Sequence, residues 1–352
     1  IQGVVEYQAN LICEHLLASG SFEVHWLSRR FHPDYCAEGY TIHRIANHDG
    51  LRFNALLFDH LSLSRLCVEL RPDVIYQTVR FGYTGIAARY TLQNDSRLVW
   101  HVASDMDVTP FKVQGWGPAA LLKYIDKRYL EYGVRHASDI VVQTHDQNHM
   151  LGEHYGRQAT MMIRNLHPLP AEALSKDGGL TVLWIANLKP AKQPEVFLRL
   201  ARACQNMPQV QFLMMGEPFQ GAAQQRVFEN AVAAIPNLSY LGKLPVEEVN
   251  VLLARSHLFV NTSLVEGFAN TFIQAWMRRV PVLSLNVDPD RLLAQEGIGY
   301  CAAGDEAALL RTLREWLGGT SQREQIGRRA QAYAEIHHSE RNISTLLELI
   351  ER

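Results

Sequence analysis

The residues of this sequence with the clearest chemical potential lie in a short polar loop that comes just before a helix. Glu266 supplies one carboxylate and Gly267 one glycine within the loop 263–269. Helical spacing of apolar residues takes over afterwards, so the first helical amides belong to Asn270 and Thr271. Free amides at a helix start favour a bound anion. The loop therefore predicts either an anion-binding site or an ordinary connection between a strand and a helix.

Two apolar runs flank this loop and indicate the elements that hold it in place. Residues 258–260, Leu-Phe-Val, have the length and type expected of a strand that is buried on both faces of a parallel sheet. A second apolar run, 281–285, follows the helical segment. Ligands of parallel α/β sheets bind beyond the carboxyl ends of strands, which is where Glu266 is expected to lie.

The segment 266–276, EGFANTFIQAW, resembles the donor-site motif of retaining glycosyltransferases of family 4, which have the two-domain GT-B fold. In that family a glutamate, seven residues and a second glutamate bracket the nucleotide sugar. Glu266 takes the first glutamate position and Gln274 the second, while Ala269 stands where the family commonly has Pro or Gly. The resemblance implies that the donor site also includes Gly267, Phe268, Ala269, Asn270 and Thr271.

Two further segments resemble the same family, in the family's order along the chain. Within 182–201, Lys192 falls on the lysine that contacts the donor diphosphate, and Asn187 occupies the position of the accompanying arginine. The segment 3–28 resembles the glycine-rich start and first helix of the acceptor domain, with Gly3 followed by a valine where the family has two adjacent glycines. The resemblance therefore covers nearly the whole chain.

The resemblance assigns expected roles to residues outside the loop as well. His101 ends an apolar run and matches a family histidine that meets the donor sugar, although a lone histidine at a strand end is usually structural. Glu266 would hold hydroxyl groups of the transferring sugar and Gln274 the ribose. The base would be held near Gly216, Gly242, Lys243 and Leu244, where glycines permit a close approach.

The implied reaction is transfer of a hexose-type sugar, with retention, from a nucleotide sugar to a carbohydrate or lipid-linked acceptor in polysaccharide or glycoconjugate biosynthesis. Lys192 and the helix start would supply the positive field for the diphosphate, so neither a metal nor another cofactor is expected. Glu266, His101 and Lys192 are the predicted catalytic residues. Two alternatives remain open: a non-catalytic GT-B protein that binds a sugar nucleotide or glycan, and a GT-B nucleotide-sugar epimerase.

The alternation of apolar periods predicts an α/β fold with parallel sheets covered by helices on both faces. The resemblance implies that the fold is GT-B, in which two Rossmann-like domains face each other across a cleft. Residues 1–166 are expected to form the acceptor-binding domain, with its first strand missing because the sequence begins just before Gly3. Residues 180–336 are expected to form the nucleotide-sugar-binding domain, after a linker near 166–180. The resemblance implies that residues 337–352 form a C-terminal helix that crosses back and packs on the first domain.

The individual elements follow from the same patterns. Strands are predicted at 23–27, 41–45, 74–78, 97–102, 140–143, 181–186, 210–215 and 238–241, in addition to the two runs that flank Glu266. Helices are predicted at 6–18, 55–70, 83–93, 119–137, 194–205, 221–235 and 246–255.

Composition limits the class of protein. At 352 residues, 47% hydrophobic and 20% charged, the chain has the profile of a soluble two-domain protein. A net charge of −2 argues against a nucleic-acid partner. Five dispersed cysteines indicate a reducing compartment, and no apolar run reaches the ~20 residues of a membrane span. We therefore expect a cytoplasmic protein.

One hypothesis for the segment 112–136 is peripheral contact with the inner face of a membrane, because family members acting on lipid-linked acceptors often dock on membranes through this domain. The alternative, which the interleaved acids favour, is a solvated helix face. The basic and aromatic residues of the segment are Lys112, Trp116, Lys123, Tyr124, Lys127, Arg128 and Arg135.

Several other patterns are weak. Residues 297–302 fit the dinucleotide fingerprint G-x-G-x-x-A but lack a helix that opens inside the motif. Asp105 and Asp107 have a spacing used to hold divalent metals, as do Asp288 and Asp290, yet such pairs are common by chance. The histidines at 337 and 338 lack a third ligand in sequence and are predicted to form a solvated helix end.

Overall fold

The structure is a computed structural model that describes residues 4–28, 39–45, 55–110, 112–170, 176 and 178–352. The chain divides into two compact units. The first unit consists of the chain up to Leu166 together with the C-terminal segment Asn342–Arg352. The second unit is the continuous segment His167–Arg341.

In the first unit the described strands are all parallel to their neighbours. They are β1 (His25–Ser28), β2 (Thr41–Arg44), β3 (Val74–Thr78), β4 (Arg97–His101), β5 (Asp139–Val142) and β6 (Met161–Met162). β1 pairs with β2, and the other four form one sheet in the order β3-β4-β5-β6. The interior of β4 is fully buried, as the apolar run Leu98–Trp100 predicts.

Helices connect these strands. They are α1 (Val4–Ala18), α2 (Ala55–Leu70), α3 (Tyr83–Thr91), α4 (Asp105–Val108), α5 (Pro118–His136), α6 (His145–Tyr155) and, after the second unit, α14 (Ile343–Glu351). α14 belongs to the core of the first unit because its apolar face packs against α1 and the sheet. The residues in this contact are Leu11, Ile12, Leu16, Val99, Val141, Ile343, Leu346, Leu349 and Ile350.

The second unit has a parallel sheet in the order β12-β11-β10-β7-β8-β9. Its strands are β7 (Leu180–Ile185), β8 (Val210–Met215), β9 (Leu238–Tyr240), β10 (Leu258–Asn261), β11 (Val282–Ser284) and β12 (Gly299–Cys301). β10 lies between β7 and β11 and is buried along its whole length, so its carboxyl end opens at the middle of the sheet.

The helices of the second unit cover both faces of this sheet with separate apolar clusters. They are α7 (Pro194–Ala203), α8 (Ala222–Ala233), α9 (Val246–Arg255), α10 (Asn270–Trp276), α11 (Leu292–Gln295), α12 (Glu306–Gly318) and α13 (Thr320–His337). α7 buries Val196, Phe197 and Leu200 on one side, which is the spacing of an amphipathic helix. The strands and helices predicted from the sequence are confirmed to within two or three residues.

The structure changes one sequence interpretation, supports another and adds a helix. His338 is fully buried and packs against Phe268, Trp276 and Tyr333, so only His337 is the solvated end that was predicted. Gly299 begins strand β12, which pairs with β11, so no helix opens inside the motif 297–302, as expected. α6 was missed because its polar sequence lacks an apolar stripe, although Thr144 caps its first turn by accepting from the Gln147 amide.

The aspartates at 105 and 107 have roles within the first unit's own structure. The Asp107 carboxylate accepts hydrogen bonds from the backbone amides of Ala103 and Ser104, which caps the start of α4. Asp105 accepts from the Gln147 side chain. In the described part of the chain, none of the helices is long and apolar enough to cross a bilayer.

Candidate functional site

Glu266 lies in the loop that leaves the carboxyl end of β10, as predicted. Its Oε1 accepts from Asn261 Nδ2 at 2.9 Å and from the Ser263 hydroxyl, and the Lys192 ammonium lies 2.9 Å from the same oxygen. The side chains of Lys192 and Glu266 are 25% and 19% exposed, so the pair is accessible from solvent. A cation and a carboxylate predicted to act on one ligand are therefore in direct contact within the second unit.

The turn that carries Lys192 is held against the same loop. Pro190–Lys192 form a 3₁₀ turn after β7, and the Ala191 carbonyl accepts from the Leu264 amide at 2.9 Å. The buried Thr262 hydroxyl donates to the Lys192 carbonyl at 2.6 Å. Thr262 in turn accepts from the Trp184 indole at 2.8 Å. These bonds fix the backbone of Lys192 relative to Glu266 and do not involve its ammonium group, which contacts Glu266.

The remaining motif residues surround the loop with different exposures. Phe268 and Ala269 are buried, and the Phe268 ring packs against Trp276 and His338. Gly267, Thr271 and Gln274 are half-buried. α10 extends only from Asn270 to Trp276, which limits its electrostatic contribution to the amides of the first turn.

Asn187 carries no charge, unlike the arginine expected at its position, and its side chain holds the loop after β8. Its Oδ1 accepts from the Glu217 amide at 3.1 Å, and the Glu217 carboxylate lies 2.8 Å from the Lys243 ammonium. The hydrogen bond from Lys243 lowers the pKa of Glu217. The Gly216 amide donates to the Gly242 carbonyl at 2.8 Å, and Leu244 packs on the core nearby. The predicted base-binding residues therefore form one connected edge of the sheet.

His101 belongs to the first unit, at the carboxyl end of β4. Its Nδ1 is hydrogen-bonded to the Tyr76 hydroxyl, while its Nε2 is buried without a hydrogen-bond partner among the described residues. The ring lines a small cavity together with Thr78 and Gln143. Burial lowers the pKa of His101 to about 4, so the ring is neutral at pH 7. Gly3 lies outside the described residues.

Sequence reasoning missed Asn261, Thr262, Ser263 and Tyr76. The first three form a polar run directly after an apolar strand, and such a run at the end of a central strand was a usable signal. Tyr76 gave no such signal, because its contact with His101 comes from the pairing of β3 with β4.

The sequence and the fold each match known proteins. The profile of the family described as glycosyl transferases group 1 matches residues 169–333, which lie within the second unit. No curated protein matches the chain significantly.

Solved structures match the chain over nearly its whole length. HepE (Alr3699) of Anabaena, solved with UDP and glucose, has a TM-score of 0.76 at 15% identity, covering 100% of this chain and 96% of that one. A glycosyltransferase of Rickettsia africae has a TM-score of 0.75 at 14% identity, covering 99% and 94%. WaaG, a glycosyltransferase involved in lipopolysaccharide biosynthesis, has a TM-score of 0.71 at 13% identity, covering 94% and 91%.

At these identities the similarity establishes the fold, which is GT-B: an α/β fold of two units with parallel sheets. The family match and the fold together support a glycosyltransferase of group 1.

Proposed function

We propose that the chain is a retaining, metal-independent glycosyltransferase that moves a hexose-type sugar from a nucleotide sugar to a carbohydrate or lipid-linked acceptor. The observation that carries the proposal is the contact of 2.9 Å between Lys192 and Glu266 at the carboxyl end of the central strand of the second unit. One group is complementary to a diphosphate and the other to sugar hydroxyls. HepE, to which the chain is similar, has been solved with UDP-glucose, which favours a UDP-sugar donor.

The proposed mechanism uses few protein groups. Lys192 stabilises the leaving diphosphate, and the amides at the start of α10 add aligned dipoles. Glu266 holds sugar hydroxyls and stabilises positive charge that develops at the anomeric carbon. His101 is neutral at pH 7, so its proposed contribution is a hydrogen bond with a sugar hydroxyl, as donor or acceptor, and not a positive charge. The leaving phosphate takes the acceptor's proton, so no protein base is assigned.

The proposal for the acceptor rests on residues of the first unit. Trp116 is fully exposed and Tyr124 is half exposed, which supports a lipid-linked acceptor and peripheral membrane contact. Lys127 and Arg128 both lie within 4 Å of Glu131, and this pairing supports the alternative of a solvated helix face. Cytoplasmic location and a place in polysaccharide or glycoconjugate biosynthesis complete the proposal.

The proposed activity can be tested with a panel of nucleotide sugars, incubated with and without candidate acceptors. We expect nucleoside diphosphate to be released only when an acceptor is present, and product NMR to show the donor's anomeric configuration. Release by water alone would favour an epimerase, and binding without release would favour a non-catalytic protein. An inverted product would overturn the retaining mechanism.

Metal independence is a separate prediction. Because Lys192 already supplies positive charge for the diphosphate, we expect activity to survive excess EDTA. Loss of activity in EDTA, followed by recovery with Mg²⁺ or Mn²⁺, would contradict the prediction.

Lys192→Ala should weaken nucleoside diphosphate binding about ten- to hundredfold, because a charge-assisted hydrogen bond contributes roughly 1.5 to 3 kcal/mol. Calorimetric titration with UDP measures the change. Arg226→Ala, which removes a positive charge from the exposed surface of α8, is the matched control and should bind as the wild type does. Equal affinity of Lys192→Ala and the wild type would remove Lys192 from the diphosphate site.

A further inference from the structure

Asn261 is the last residue of β10. Both the oxygen and the nitrogen of its side-chain amide form hydrogen bonds with the loop that follows. Its Oδ1 accepts from the Ser263 amide at 3.0 Å, and its Nδ2 donates to Glu266 Oε1 at 2.9 Å. A backbone amide can only donate, so the bond from Ser263 fixes which end of the Asn261 side chain is the oxygen. The nitrogen must then face Glu266. The residue is only 4% exposed, and this one orientation satisfies it.

The three groups that bind Glu266 all contact the same carboxylate oxygen. Oε1 receives Asn261, Ser263 and Lys192, whereas Oε2 has no hydrogen-bond partner among the residues that the structure describes. An ionised carboxylate has about four acceptor positions, so Oε2 keeps its full accepting capacity. The protein therefore uses one oxygen to orient the group and leaves the other for a ligand.

The three groups differ in whether they remain bound to Oε1 when the donor binds. Lys192 is the proposed partner of the donor diphosphate, so part of its interaction with Glu266 is exchanged when the donor binds. Asn261 and Ser263 are 4% and 1% exposed and have no such second role. Both are neutral donors, so they hold Glu266 without removing its negative charge.

We infer that Asn261 is a positioning residue: it keeps Glu266 Oε1 turned toward the protein, so that Oε2 faces the hydroxyls of the transferring sugar after Lys192 has engaged the diphosphate. The inference rests on the proposed transferase function and adds to it a residue outside the predicted motif. Asn261 acts through Glu266 and is not itself expected to contact the sugar.

The test is Asn261→Asp, which keeps the shape and the acceptor for the Ser263 amide but replaces the donor to Glu266 by a second carboxyl group. Above neutral pH the two carboxylates repel, Glu266 turns away, and turnover should fall by about fiftyfold or more. At low pH the introduced carboxyl group is protonated and can donate to Glu266, so the original hydrogen bond is restored. The Lys192 ammonium lies beside Glu266 and the introduced carboxyl group. Its positive charge limits how far the pKa of the introduced group rises.

We expect the variant's turnover to recover to within about fivefold of the wild type near pH 5.5, because two adjacent carboxyl groups share a proton and hold it to a higher pH than an isolated carboxyl group does. The wild type should show no such acid-dependent gain. A residue that only supported the loop's backbone would not produce this pH profile. Asn230→Asp, an exposed substitution on α8 with the same chemistry, controls for the added charge and should behave as the wild type.

Two outcomes would overturn the inference: full turnover of Asn261→Asp at pH 8, or uniformly low turnover at every pH in a variant that still binds UDP as the wild type does. The pH dependence of Tm tests the contact without activity. The introduced group has a higher pKa in the folded protein than in the unfolded chain, so the variant's Tm should match the wild type's only below about pH 4, the unfolded pKa of Asp, and fall further below it as pH rises through the folded pKa. If the wild type turns over no donor, the proposed function fails, while an unchanged Tm difference from pH 5 to 8 would separately reject the contact.

Discussion

Glu266→Gln should lower kcat by about a hundredfold or more, roughly 2.7 kcal/mol of transition-state stabilisation. The substitution is nearly isosteric, but it removes the negative charge that would stabilise an oxocarbenium-like sugar. It also places an NH₂ group where Oε2 now lies, so one acceptor becomes a donor. UDP affinity should be unchanged or higher, because Lys192 loses its carboxylate partner. Steady-state kinetics and calorimetry separate the two effects.

Gln274→Glu is the matched comparison, since it makes the same exchange of amide and carboxylate on α10 in the opposite direction. The amide oxygen of Gln274 can accept from a ribose hydroxyl as a carboxylate does. We therefore expect turnover within about tenfold of the wild type. Full turnover of Glu266→Gln in an active transferase would remove Glu266 from the centre of the site.

Gly216→Ala should destabilise the second unit by about 3 kcal/mol or more, because the added methyl group has no room. Gly216 has φ of 148°, and a Cβ there would lie 1.8 Å from the Ala186 carbonyl oxygen. Ala186 and Gly216 directly follow the paired ends of β7 and β8, so neither backbone can move without disturbing the sheet. For a unit of this size the loss corresponds to a Tm lower by about 6 to 12 °C.

Gly318→Ala is the control, because a Cβ at that position on α12 meets nothing within 4 Å and the residue has no positive φ. Differential scanning calorimetry of the two variants distinguishes a local clash from a general effect of losing a glycine. An unchanged Tm for Gly216→Ala would show that the close approach of the two strand ends is not maintained in solution.

Much of the fold could be predicted from the sequence, because buried parallel strands are short apolar runs and the helices between them repeat a clear apolar period. β10 and α7 are examples. α6 could not be predicted by that signal, because it has few buried residues and depends on its Thr144 cap and on Gly156 in a left-handed conformation after its end. His338 is buried by residues far away in sequence, and no local pattern reveals that.

For the candidate site, the loop containing Glu266 and the turn containing Lys192 could be located from the sequence through the family resemblance. Their direct contact could not, since it depends on bonds such as those from Thr262 and Leu264 to the turn that precedes α7. Asn187 was expected beside the phosphates by position. In the structure its side chain accepts a hydrogen bond from the Glu217 amide and so holds the neighbouring loop, which its position in the sequence did not indicate.

The discontinuity of the first unit has a consequence for synthesis on the ribosome. α14 completes the apolar core of that unit, but it is translated only after the whole segment His167–Arg341. At about 5 to 20 residues per second, the surfaces of Leu11, Ile12 and Leu16 that α14 will cover wait about 10 to 35 seconds for their partner. The second unit is continuous and can fold in that interval. The later half of the protein is therefore expected to mature first, and the earlier half to depend on chaperones until α14 arrives.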